Sequence, residues 1–333
     1  MPPFPPRKFV PSNLQIEFLD RVPTNQPELF GGKAVNLARL HQMGISIPKG
    51  FALSTQCFIQ FQSSYQDLES YKTLHTKLTD FETLLHSSEE FQNQAKEFEL
   101  PESVAKEIIT KFEQLEKTHE DVHAGYAVRS SATTEDVNEF SFAGQADSFL
   151  CVKDLSGILE AVKRTWLSLN SARALIYLKS KSINPHHVYM GVIVQEMVLG
   201  EVSGTMFTTN VVNNNPDQLI IDSTWGLGES VVAGKVIPDS FFLQKAPLKI
   251  LKRHLGEKAL YSAPHPADRP ECTLFLETPQ EKREIFSIAD EKLYELARLG
   301  LQIETAMNLP QDIEWTLKED SFIILQTRPI TTF

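Results

Sequence analysis

Near the carboxyl end of the chain, two short segments place oxygen-rich and cationic side chains at strand spacing. Along Asp312 to Leu317, alternation puts Asp312, Glu314 and Thr316 on one face and Ile313, Trp315 and Leu317 on the other. Along Ile323 to Arg328, Gln326 and Arg328 share a face, with Ile323, Leu325 and Thr327 opposite. If the strands pair across the turn from Lys318 to Phe322, Glu314 stands opposite Gln326 and Asp312 opposite Arg328. That register sets oxygen ligands side by side with a cation one step away. Mg2+ suits such a site, because it takes one or two carboxylates and fills its octahedron with water and substrate phosphates. An amphipathic hairpin with a wet outer face is the plainer account. Against it, the second strand is otherwise apolar and ends on Gln and Arg rather than Lys or Glu.

Three further segments have phosphate-like chemistry. Lys33 follows the pair Gly31-Gly32, and glycine lets a backbone approach an oxyanion while lysine supplies charge. The segment is not a P-loop, which would need Gly in place of Pro27 and Ser or Thr in place of Ala34. Taken alone, it reads as a helix cap followed by a solvated lysine. The stretch Tyr126 to Thr134 ends a strand on Arg129 and then strings together small hydroxyl residues. Such a loop can fold over a polyphosphate and stay mobile, and an exposed Ser/Thr-rich hairpin explains it equally well. No G-x-S-x-G surrounds these serines. Gly226-Leu227-Gly228-Glu229 fails the dinucleotide fingerprint because Val231 takes the third glycine position, so locally it is a glycine-rich turn. His186-His187 has no third ligand at metal spacing. Cys57, Cys151 and Cys272, with no C-x-x-C, fit reduced thiols in a cytoplasmic protein.

The elements that must position these residues are mixed. Ala34, Leu37 and Ala38 have helical spacing, with Gly44 as the cap. Residues 56 to 120, rich in Gln, Glu, Lys and Leu, read as a helical excursion on the surface. Tyr126 to Val128 and Phe149 to Val152 read as strands, followed by a helix with Leu155, Leu159, Val162, Trp166 and Leu169 on one face. Met190 to Val198 is apolar enough for a strand covered on both sides. Thr205 to Thr208 and Leu219 to Ile221 are further strands, Ala246 to Pro270 is loop-rich, and 288 to 307 is a helix. With 41% hydrophobic residues the chain can bury a large core. Its formal net charge of −11 excludes a broad nucleic-acid or anionic-membrane surface but not a local anion site.

In order along the chain, Gly31-Gly32-Lys33, Val128-Arg129-Ser130-Ser131-Ala132, Ser141-Phe142-Ala143-Gly144-Gln145, Val194-Gln195-Glu196-Met197-Val198, Trp225-Gly226-Leu227-Gly228-Glu229, Asp312-Ile313-Glu314-Trp315 and Gln326-Thr327-Arg328-Pro329 together resemble the ATP-binding domain of the phosphoenolpyruvate synthase, pyruvate phosphate dikinase and rifampin phosphotransferase family. The resemblance implies an α/β (α+β) ATP-grasp fold with a two-lobed cleft. An amino-terminal lobe would span 14–204 and a carboxyl-terminal lobe carrying the metal-binding strands 205–331. It further implies that Lys33, Arg129 and Arg328 neutralise the triphosphate, and that Gly144 and Ser148 contact phosphates. Gln195, Met197 and Val198 would line the adenine slot. Glu314 and Gln326 would ligate Mg2+, with Asp312 beside them. Ser148 replaces an expected Thr and keeps the hydroxyl, and Ala306-Met307-Asn308 replaces a His-containing stretch.

Members of that family continue into a swivelling domain with an acceptor histidine and then a substrate domain. None of the nine His here lies in such a motif, so the resemblance implies a partner histidine on the same or a separate chain, and a small-molecule final acceptor beyond it. The transferred group would be phosphoryl or pyrophosphoryl. Two other functions remain open on the sequence: an ATP-grasp kinase or ligase acting directly on a small molecule, and a regulatory nucleotide-binding module.

Overall fold

The structure, a computed structural model, describes residues 15–76, 81–118, 124–133, 148–265 and 273–330. The first part of the chain supplies strands β1 (Ile16–Phe18), β2 (Gly50–Leu53), β3 (Tyr126–Ala132), β4 (Phe149–Val152) and β5 (Met190–Glu196). They form one antiparallel sheet in the order β1-β2-β5-β3-β4. β5 runs through its middle and is buried along its length except at Glu196. β3 is longer than its sequence suggests. Ser130 and Ser131 are buried strand residues rather than the start of a loop; residues 134–147, which include Gly144, lie outside the described residues.

Helices α1 (Pro27–Phe30) and α2 (Gly32–Gln42) precede β2, and α3 (Thr55–Gln62), α4 (Glu69–Thr76), α5 (Phe81–Ala95) and α6 (Glu102–Glu116) follow it. The last four are helical as expected, yet they are not a surface excursion. Phe58, Phe61, Tyr65, Phe91, Val104 and Ile108 are buried in the same core as the strands. The abundant Gln, Glu and Lys of this stretch occupy the outer faces and mask an aromatic stripe. α7 (Leu155–Leu167) closes that core. Asp154 caps it by accepting from Gly157 N–H at 2.7 Å. Ile158, Val162 and Trp166, spaced by four, face inward, and the Trp166 indole donates to Met190 O at 3.0 Å. α8 (Ala172–Ser180) follows.

The rest of the chain builds a second antiparallel sheet. Its strands are β6 (Val202–Phe207), β7 (Gln218–Trp225), β8 (Asp239–Gln244) and β9 (Lys249–His254), then, beyond the separate hairpin β10 (Leu260–Pro264) and β11 (Thr273–Glu277), β12 (Gln311–Lys318) and β13 (Ser321–Pro329). Their order is β13-β12-β6-β7-β8-β9. α9 (Glu229–Val232), α10 (Gln280–Arg283) and α11 (Asp290–Met307) are interspersed, and α11 packs Leu293, Leu296, Ala297 and Ile303 into the second core. Two readings change here. The region expected to be loop-rich holds β9 and β10 within 249–264, and β9 is a solvated edge strand whose charged composition looks like a loop. The division between sheets falls in the 197–201 connection rather than at 204/205, since Val202, Ser203 and Gly204 already pair with β7 and β12.

The expected register of the final hairpin is present: Asp312 pairs with Arg328 and Glu314 with Gln326. A bulge between Glu314 and Trp315 then shifts it, so that Trp315 pairs with Ile324 and Leu325 is the extra residue. The bulge corrects the expected alternation on β13. Phe322 and Ile324 enter the core, while Gln326 and Arg328, of the same parity, line the opposite side.

α2 meets the first sheet at its amino end. Gly31 has φ +78°, and a Cβ there would lie 2.0 Å from Ser131 O. Ser131 Oγ in turn accepts from Ala34 N–H at 3.1 Å, capping α2 from a strand 97 residues away. Gly44, with φ +75°, has open space around it. Gly31→Ala should therefore lower stability by more than about 2 kcal/mol, and Gly44→Ala by only the roughly 1 kcal/mol of the left-handed backbone. Urea unfolding of both variants checks this; equal losses would mean that helix and strand are not in close contact at Gly31.

Candidate functional site

β3 and β5 of the first sheet face β12 and β13 of the second across a cleft of about 460 Å3. Arg129 is the only residue of β3 that is not buried. Its Nη1 crosses the cleft and donates to Glu314 Oε2 at 3.0 Å and Gln326 Oε1 at 3.2 Å. Because Glu314 and Gln326 are cross-strand partners, their oxygens converge on one nitrogen. Next along the hairpin, Arg328 donates from Nε (2.8 Å) and Nη2 (2.6 Å) to the same oxygen of Asp312. Burial pushes the Asp312 carboxyl above its ordinary pKa; the Arg328 guanidinium offsets part of this, and the Glu314 charge adds to it.

Lys33, in the first turn of α2, donates to Ser130 O at 3.1 Å and to Ser130 Oγ at 3.4 Å, which sets its ammonium beside Arg129. Gln195, next to last in β5, also lines the cleft, and Met197 and Val198 open the connection to the second sheet. Glu196 N–H and Met197 N–H are already taken by Lys49 O and Gly125 O, both at 2.9 Å. Ser148 borders the cleft just before β4.

The lining carries four cations (Lys33, Arg129, Arg173, Arg328) against three carboxylates (Glu196, Glu229, Glu314), in a chain of formal net charge −11. The local balance is thus reversed from the global one, as an anion site requires. Among the buried polar atoms of the lining, Arg129 Nε, Gln195 Oε1 and Trp315 Nε1 lack a hydrogen-bond partner among the described residues. Buried polar groups are normally satisfied, so such a set in one cleft marks where a polar ligand belongs.

Of the residues singled out from sequence, Lys33, Arg129, Ser148, Gln195, Met197, Val198, Glu314, Gln326 and Arg328 border this one cleft. Asp312 lies beside it, occupied with Arg328. Sequence reasoning missed Arg173, on the first turn of α8, where an isolated arginine carries no motif. It also gave no role to Leu227, Gly228 and Glu229, although their glycine-rich stretch stood out; they form a wall of the cleft. Cys57 and Cys151 are buried outside its lining, and burial pushes the Cys57 thiol up to about 11. Among the described residues no helix is long and apolar enough to cross a membrane.

Cationic side chains, a small hydroxyl-bearing rim and paired oxygen ligands around one cleft describe a phosphate-handling domain of mixed α and β structure. The chain matches, over residues 27–333, the family described as the pyruvate phosphate dikinase AMP/ATP-binding domain, and it belongs to that family. Similar proteins include the probable phosphoenolpyruvate synthase of Methanocaldococcus jannaschii, 32% identical over 95% of this chain and 27% of that protein. The phosphoenolpyruvate synthase of Pyrococcus furiosus is 31% identical over 95% of this chain and 44% of its own length. The rifampicin phosphotransferase of Bacillus subtilis is 34% identical over 94% of this chain and 36% of its own. The chain spans less than half of each.

Among the described residues Asp312 is paired with Arg328, whose guanidinium it holds by two hydrogen bonds to one oxygen. Asp312→Ala should weaken ATP binding about tenfold, the scale of one charged hydrogen bond, with the fold retained. Calorimetric titration with ATP measures it; full affinity in the variant would leave the Asp312–Arg328 pair as a stabilising contact only.

Proposed function

We propose that the two sheets are the lobes of an ATP-grasp unit that holds Mg-ATP between them and passes a phosphoryl or pyrophosphoryl group to a histidine. That histidine would belong to a swivelling domain, in the same polypeptide or on a separate chain, which hands the group to a small-molecule acceptor. The observation that carries the reading is the convergence of Arg129, Glu314 and Gln326 on one point, with Lys33 and Arg328 bordering the same cleft. Family membership supports ATP as the nucleotide. The relatives' names and their greater length support the rest, since this chain matches only 27% to 46% of them.

The residues present fit a magnesium ion. Glu314 Oε2 and Gln326 Oε1 already share a cationic partner, the Arg129 nitrogen, which stands in for a metal's charge. Among the described residues no group of three or more His, Cys, Asp or Glu is placed to hold a metal, which suits an ion that takes most of its oxygens from phosphates and water. When bound, Mg2+ would neutralise phosphate charge as the γ- or β-phosphoryl leaves. The chain's own part is positioning and charge neutralisation: Lys33, Arg129 and Arg328 hold the phosphates, Ser148 borders them, and Gln195, Met197 and Val198 seat the adenine. With Glu196 N–H and Met197 N–H engaged, the base would be read by the Gln195 amide and by the backbone groups of the connection that remain available.

Lys33→Ala and Arg328→Ala should each cost roughly 1.5–3 kcal/mol in ATP binding. Glu314→Ala and Gln326→Ala should change the Mg2+ dependence far more than metal-free nucleotide binding. Unaltered ATP affinity in the first pair, or unaltered metal titrations in the second, would leave the hairpin a wet surface.

Phosphorus NMR separates the proposal from its rivals. With a histidine domain present, ATP should give a pyrophosphohistidine and AMP if the pyrophosphoryl group moves, and a phosphohistidine and ADP if the phosphoryl group moves. The chain alone should bind ATP and hydrolyse it slowly. Rapid turnover of ATP with a small-molecule acceptor and this chain alone would instead establish a direct kinase or ligase, and tight binding without product under every condition a nucleotide sensor.

A further inference from the structure

α2 touches both sheets within one turn. Its amino end is capped by Ser131 of β3, through Ala34 N–H. Two residues on, about 3 Å along the axis, Asn36 Nδ2 donates to Thr327 O of β13 at 3.2 Å. Asn36 is only 6% exposed, and the other buried residues of α2 are glycine or apolar. An amide in that setting must find a partner or cost stability. The partner it finds is a carbonyl on the outer edge of an edge strand, and Thr327 lies between Gln326 and Arg328.

Thr327 is held from its other side as well. Its Oγ1 donates to Gln311 Oε1 at 2.9 Å, and Gln311 N–H donates to Thr208 Oγ1 at 2.8 Å, so the buried polar chain runs from α2 through β13 and β12 to the residue just past β6. A second tie crosses the same edge, from Ile324 N–H to Ser46 O at 2.9 Å. Apolar packing alone would let a helix slide against a strand by fractions of an ångström; a directional bond between buried groups fixes the register.

We propose that Asn36 is a positioning residue: by anchoring α2 to Thr327 it sets the distance from Lys33 on α2 to the Gln326 and Arg328 side chains on β13. Lys33 is one residue before the Ser131 cap and three before Asn36, so it moves rigidly with both ties. The nucleotide's phosphates must be met at once by a cation carried on the helix and by groups carried on the second sheet. Asn36 presets that separation before the ligand arrives, which lowers the ordering cost of binding. The inference rests on the Mg-ATP reading of the cleft.

The test uses the full chain and compares ATP with adenosine, which has no phosphates, by displacement of a fluorescent ATP analogue. Asn36→Ala should weaken ATP about tenfold while adenosine changes less than about twofold. In a Lys33→Ala background the same substitution should weaken ATP less than about twofold, because the cation it positions is gone. Should Asn36→Ala fail to yield folded protein, Asn36→Leu keeps nearly the shape, loses the donor without adding a charge and is read identically. Equal losses for ATP and adenosine, an unchanged ATP affinity, or full additivity with Lys33→Ala would overturn the proposal. If Lys33→Ala itself leaves ATP affinity intact, it is the reading of the cleft that fails; a weakened Lys33→Ala beside an unaffected Asn36→Ala refutes the role of Asn36 alone.

Discussion

A guanidinium set between two sheets and only partly exposed has to be answered by charge, and Arg129 is answered from across the gap. Its partners Glu314 and Gln326 lie 185 and 197 residues away in the chain, on the other sheet. Desolvating an arginine without such partners would cost several kcal/mol, so the cross-cleft contact holds the two sheets at a fixed separation. The arrangement of β12 and β13 follows from the same demand. Two side chains directly paired on adjacent strands readily present oxygens to one nitrogen, and the bulge after Glu314 lets this polar pair coexist with Trp315 and Ile324 in the core immediately beyond.

The contact also has chemical content. In place of Arg129's nitrogen, the same two oxygens would suit a divalent cation; in place of Glu314, the guanidinium would suit a phosphate. A metal–nucleotide complex supplies both at once. On the proposed reading, Mg-ATP exchanges partners with a pre-existing ion pair rather than entering an uncompensated site, and each half of the ligand satisfies the group that the other half displaces.

Much of this was legible in the sequence where one residue type at one spacing had a single structural meaning. Strand alternation alone gave the pairing of Glu314 with Gln326 and of Asp312 with Arg328, because the register is set by the turn and by which face is apolar. The apolar run around Val194 announced a central strand for the same reason. What failed has a physical pattern too. Alternation cannot foresee a bulge, so Phe322 and Ile324 were placed on no face and Leu325 on the wrong side. Ser130 and Ser131 looked like loop residues because their composition is polar, yet one supports Lys33 and the other caps α2 inside the core. Polar outer faces hid the aromatic stripe of α3 to α6, and an exposed edge made β9 resemble a loop. Arg173 reaches the cleft by tertiary placement, which no local pattern encodes.

Lys33 shows how the two kinds of information combine. Locally it was a solvated lysine after a helix cap, and the cap is real; but the cap is made by Ser131, two residues from Arg129, so the same contact that starts the helix delivers the ammonium to the cleft. Gly31 is required there because a side chain would strike the Ser131 carbonyl, not because a phosphate needs the space. The glycine pair therefore belongs to helix–strand packing, and the lysine gains its chemistry from that packing. A motif of this kind is a structural device first, and its functional meaning is fixed only by what the distant strand brings beside it.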